Sequence, residues 1–137
     1  MHDVEGSFQI AKMDPDRRLV FGWAWVAEEN GQLVFDDEGD AIPSDELEKA
    51  VYQFALDSRE AGEIHFRQTG VGRLVESIVF TKAKCEALGI DPPEGRYGWW
   101  VGFHVDDDDV WTLAKSGVYP AFSIGGKGVR HAVQQAS

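Results

Sequence analysis

Cysteine is nearly absent from this 137-residue chain: Cys85 is the only one, so no intrachain disulfide can staple it. Cys85 lies in the stretch Thr81 to Leu88 with no companion that would mark a reactive thiol, and it reads as a structural residue. Basic residues are also scarce. Thirteen Lys and Arg face twenty-four Asp and Glu, the net charge is −11, and no window concentrates the positive charge. Nucleic-acid binding as the main activity is thereby disfavoured, because phosphate contacts need clustered Lys and Arg. An acidic surface serves solubility or a basic partner. No apolar run approaches transmembrane length, and the N-terminus lacks a basic-then-apolar signal pattern. The expectation is no membrane and a reducing cytoplasm.

Metal-ligand spacing is missing as well. Asp36 to Asp40 is acidic but lacks the twelve-residue order of a calcium loop, and reads as a solvated turn. Asp106 to Asp109 looks like a cluster, yet successive helical residues point about 100° apart, so the run suits the cap and first turn of a helix better. No metal and no cofactor are expected. A metal-dependent hydrolase using His104 and this aspartate run is the weakest of the functional readings.

What is present is apolar mass. A hydrophobic fraction of 43% and sixteen aromatics (Trp 5, Tyr 3, Phe 8) argue for one globular domain over 1–137, with loose ends at 1–5 and 132–137. Ser7 to Lys12 alternates as a strand, and the Asp-Pro-Asp of 14–16 turns the chain. Arg18 to Ala27 forms a second strand with Gly22 as a bulge, and Trp23 and Trp25 are expected on one core-filling face. After a turn at Glu28 to Gly31, Gln32 to Phe35 is a short strand. Ser44 caps a helix over about 45–60, whose Leu47, Ala50, Val51, Phe54 and Ala55 recur at helical spacing; Gly62 stops it.

Val71 to Thr81 alternates as a strand, with Glu76 expected on the face of Leu74 and Ile78. A carboxylate between apolar neighbours is costly unless paired, so Glu76 is either a partner for His65 or a surface glutamate paired with Arg73 or Arg96. Thr81 to Leu88 is a short helix stopped by Gly89, and Pro92 and Pro93 hold a loop. Tyr97 to Val105 is a strand with Gly98, Trp100, Gly102 and His104 on one face. Val110, Trp111 and Ala114 give the apolar side of a last helix.

Two polar residues sit in matching settings. Ser123 lies between Phe122 and Ile124, and His65 between Ile64 and Phe66, so each projects from the face opposite two apolar anchors. Gly125, Gly126 and Gly128 follow the serine and permit a positive-φ turn with uncovered amides. A serine nucleophile needs a rigid strand to aim Oγ and bare N–H groups to hold an oxyanion. An ordinary strand serine before a glycine turn has the same appearance.

The order His65, Glu76, Ser123 resembles the phage prohead (capsid maturation) proteases, and most closely the XkdF-like phage serine proteases. The resemblance runs in order through Phe21 to Ala24, His65, Gly72 to Ser77, Gly98 to Gly102, Val105 to Trp111, Lys115 to Gly117 and Phe122 to Gly126. It implies an α+β fold, a compact and mainly antiparallel β-barrel of about six to seven strands with surrounding helices, like the prohead and herpesvirus assemblin proteases. It implies Ser123 as nucleophile and His65 as general base. Glu76 is the first choice for the third member. His131 is the alternative, by similarity to the assemblins. The oxyanion hole would be drawn from Ile124, Gly125 and Gly126, with Arg130 by analogy. The implied substrates are phage scaffold and major capsid proteins, and the chain itself, within an assembling prohead in the host cytoplasm. A homodimer is left open, and so is an inactive module of the same fold that binds scaffold or capsid proteins.

Overall fold

The computed structural model describes residues 6–36, 38–61, 64–66, 72–116 and 121–126; at 6–9, 58–61, 64–66 and 121–126 the backbone alone is described. The elements are β1 (Gly6–Asp14), β2 (Leu19–Glu29), β3 (Gln32–Leu33), α1 (Ser44–Ala61), β4 (Ile64–Phe66), β5 (Gly72–Phe80), α2 (Lys82–Leu88), β6 (Arg96–Val105), α3 (Asp108–Ser116) and β7 (Ala121–Gly126). All strand pairings are antiparallel, in the order β1-β7-β4-β5-β6-β2-β3, and β1 also pairs with β2. Among the described residues, no helix is long and apolar enough to cross a membrane.

One face of this sheet carries the core. Val20, Val79, Trp99, Val101, Phe103 and Val105 are buried there, and α1 packs on them with Leu47, Ala50, Val51 and Phe54. The Phe54 and Trp99 rings meet edge-on at 5.3 Å. The helical spacing of α1's apolar residues is what lets one stripe meet five different strands. Each fully buried side chain of this size contributes about 1.5–3 kcal/mol, and α1 supplies several of them. Trp111 and Ala114 of α3 complete the cluster. The helix starts at the expected cap position, one residue earlier than expected: Ser44 is already helical, and the Leu47 amide donates to the Pro43 carbonyl at 2.9 Å.

Bulges correct the sequence reading. In β2 the irregularities fall between Trp23 and Trp25 and between Val26 and Glu28, not at Gly22, so Trp23 pairs with Trp100 and Trp25 with Trp99. Adjacent residues of β6 face opposite ways, so the two tryptophans are on different faces. Trp25 faces the core cluster, while Trp23 meets Trp100 and Phe80 edge-on at 5.3 and 5.9 Å. In β5 the irregularity falls between Leu74 and Glu76. Leu74 stays on the core face opposite Phe103, but Glu76 is opposite Gly102 and shares a face with Arg73 rather than with Leu74.

The aspartate run divides its work. Asp107 Oδ1 accepts the Val110 amide at 3.0 Å as the helix cap, Asp108 bonds Arg18 Nη1 at 2.6 Å, and Asp106 lies before the helix. Cys85 is buried in α2, and burial pushes its thiol pKa up. Thr81 Oγ1 caps that helix by accepting the Lys84 amide, and Gly89 ends it at φ 69°. In β6, Gly98 is required by close approach: a Cβ there would fall 2.2 Å from the Trp25 carbonyl oxygen.

Phe54→Ala should remove the central α1 contact and cost about 3–5 kcal/mol, read as a lower urea midpoint at unchanged slope. A loss under about 1 kcal/mol would show that α1 does not hold the core face.

Candidate active site

The face opposite the core is the chemical one. Across it runs a single rung: Gly125 of β7 is opposite His65 of β4, His65 is opposite Arg73 of β5, and Arg73 is opposite His104 of β6. Residues directly opposite in an antiparallel pair share a face. Ser123 is two residues before Gly125 and therefore has the same face. The other way round gives the same result. Ser123 is opposite Ser7, Gln9 is opposite Trp23, and Trp23 is opposite Trp100, four residues before His104 on that face. Ser123 and His65 thus occupy diagonal positions on neighbouring strands. Such positions are about 7–8 Å apart in general sheet geometry, within reach of longer side chains.

The glycines behave differently from the expected turn. Gly125 and Gly126 continue β7 and pair with His65 and Ile64. The described pairing of β1 with β7 begins at Gly6, opposite Ile124, so the two glycines extend past it. The adjoining β4 strand holds them extended. Gly128, Arg130 and His131 lie outside the described residues, as do the chain ends at 1–5 and 132–137 and the helix stop at Gly62.

Glu76 stands in a row with Gly102 and Phe21. Its Oε1 accepts from Trp100 Nε1–H at 3.2 Å. Gly102 makes room between the two: a Cβ there would come within 2.7 Å of the Phe21 ring and 3.2 Å of Glu76 Cβ. The residue directly opposite His65 is Arg73, not Glu76.

Arg73 is part of a cluster that the sequence did not announce. Its Nε donates to Asp106 Oδ2 at 3.0 Å and its Nη2 to Oδ1 at 2.9 Å, a forked pairing. His104 Nδ1 is 2.7 Å from the same Asp106 Oδ1. The Arg73 hydrogen bond holds the Asp106 carboxyl below the usual carboxylate range; partial burial opposes it, and the His104 bond adds to it. The pairing is outward-facing, since the Arg73 side chain is 74% exposed. No separation in the sequence links Arg73 to His104 and Asp106. The signal that joins them is strand register, which a single sequence does not carry.

Comparison with known proteins follows from the same stretch of chain. The family model described as "Putative phage serine protease XkdF" matches residues 7–131, and the chain belongs to this family. Over 117 residues, 85% of the chain, it is 31% identical to "Uncharacterized protein YqbD" of Bacillus subtilis (strain 168), covering 34% of that protein. Over 111 residues, 81% of the chain, it is 29% identical to "Phage-like element PBSX protein XkdF" of the same organism, covering 37% of it. The chain therefore spans about a third of the length of these curated relatives. No solved structure matches.

A carboxylate whose folded pKa is depressed stabilises the fold above its unfolded value, near 3.9, and loses that contribution as pH falls through the lower folded value. Asp106→Asn should therefore lower the urea midpoint at pH 5 and flatten its fall between pH 4 and 2. Parallel wild-type and variant curves would show that the Arg73 pairing does not stabilise the fold.

Proposed function

We propose that this domain is the serine endopeptidase of a phage capsid-maturation system. Ser123 Oγ attacks the scissile carbonyl carbon, and His65 takes the hydroxyl proton as the new C–O bond forms. The tetrahedral oxyanion collapses, the C–N bond breaks, and His65 returns the proton to the leaving amine. Water then hydrolyses the acyl-enzyme by the same route. Amides from Ile124 to Gly126 are the proposed oxyanion donors, with Arg130 beside them. Glu76, or else His131, is the proposed third member that fixes the imidazole.

The observation that supports this reading is the shared face and adjacent strands of Ser123 and His65. They are brought together by pairing between β7 and β4 although 58 positions separate them (123 − 65). Membership of a phage serine protease family supports the reaction class. The additional β1–β2 pairing supports reading the sheet as the barrel of the prohead and assemblin proteases. By the same proposal the substrates are scaffold and major capsid proteins, and the chain itself, inside a prohead assembling in the host cytoplasm.

A fluorophosphonate probe should label the wild-type protein at Ser123. Ser123→Ala should abolish labelling, and His65→Ala should slow it by about a thousandfold or more, with the fold kept in both. Undiminished labelling of Ser123→Ala would discard the assignment. A wild-type protein that neither labels nor cleaves, yet binds scaffold, would favour the inactive binding module.

A further inference from the structure

We infer that Arg73 is a positioning residue for the proposed base: anchored by Asp106 on the rung beside His65, its guanidinium keeps the imidazole neutral and ready to accept the serine proton. The inference rests on the serine-protease reading above and adds to it a residue that reading does not use. Its warrant is geometric. His65 and Arg73 are directly opposite on one face, and Arg73 is tied on its far side to Asp106, which also takes His104 Nδ1. The fork ties the arginine to the residue that follows the next strand, so it is a held charge one strand from the His65 position. A nearby positive charge disfavours imidazolium. A histidine base must be unprotonated to begin the reaction, so this neighbour widens the working range on the acid side.

Among the described residues, the other charged groups around β4 are few; Arg130 and His131, which the proposed function draws on, lie outside them. On the same face, β5 adds Glu76, and β6 adds His104 with Asp106 beyond it. The β7 positions sharing that face, Ala121, Ser123 and Gly125, are uncharged. Of the other described elements, α1 also packs against β4. It carries Asp57, Arg59 and Glu60 towards its end and packs on the opposite, core face. Glu63 and Arg67 flank β4 in the sequence. Among these, Arg73 alone is both directly opposite His65 and pinned by a described ion pair.

The test is an NMR titration of the His65 ring, assigned by loss of its signal in His65→Gln. Arg73→Gln should raise the midpoint by about half a pH unit, the size of a partly screened charge one strand away. Arg73→Lys should restore most of it. Asp106→Asn, which leaves the guanidinium without its carboxylate, should lower it. The acid limb of Ser123 phosphonylation should move in the same directions. An unmoved midpoint in folded Arg73→Gln overturns the inference; should that variant not fold, a midpoint that fails to fall in Asp106→Asn does so instead. The two readings fail separately. Absence of wild-type labelling at every pH removes the protease reading, whereas labelling with unmoved midpoints removes Arg73 alone.

Discussion

A pleated strand shows alternate residues to opposite faces, so a slip of one residue between β7 and β4 would send Ser123 and His65 to different sides of the sheet. The chemistry proposed for this domain depends on that register. It is fixed from two directions: from β6 through β5 to β4, and from β2 through β1 to β7. Both routes put the two residues on the same face. Core burial fixes the face of β6 from which the first route starts, because Val101 and Phe103 are fully buried.

The two faces divide the work. The core face is filled by β-branched and aromatic residues and closed by α1, so it carries most of the stabilisation. The other face holds Arg73, Glu76, Trp100 and His104, with hydrogen bonds between side chains beside the Trp23, Trp100 and Phe80 ring cluster. The bulge at Val75 is what makes this division possible in β5. Without it, Arg73 and Glu76, three residues apart, would point to opposite faces. Gly102 serves the same end, since any side chain there would collide with Phe21 and crowd Glu76.

Much of this was legible from the residues. The helical stripe of Leu47 to Phe54, the stop at Gly89, the alternation of Gly98 to His104 and the capping use of the aspartates follow from period, propensity and cap chemistry. The bulges were not legible. Trp23 and Trp25 alternate as any strand would, and nothing in the letters marks the extra residue between them. The same holds at Val75, where the extra residue puts Leu74 on the opposite face from Glu76 while Ile78 stays with it. Gly125 and Gly126 read as a turn because glycine permits one, whereas pairing with β4 keeps them extended. Arg73's place beside Asp106 and His104 was invisible for a related reason: it is set across strands, and register is a tertiary property. The candidate pair itself came from matching local settings, apolar residues on either side of one polar residue, and from family resemblance.

The most direct measurement of the central claim is a crystal structure of the protein phosphonylated by the fluorophosphonate probe. The account predicts the phosphorus bonded to Ser123 Oγ, with an imidazole nitrogen of His65 on the same face, at about 3 Å from that oxygen. An adduct on another residue, or His65 turned to the core face beneath α1, would contradict it.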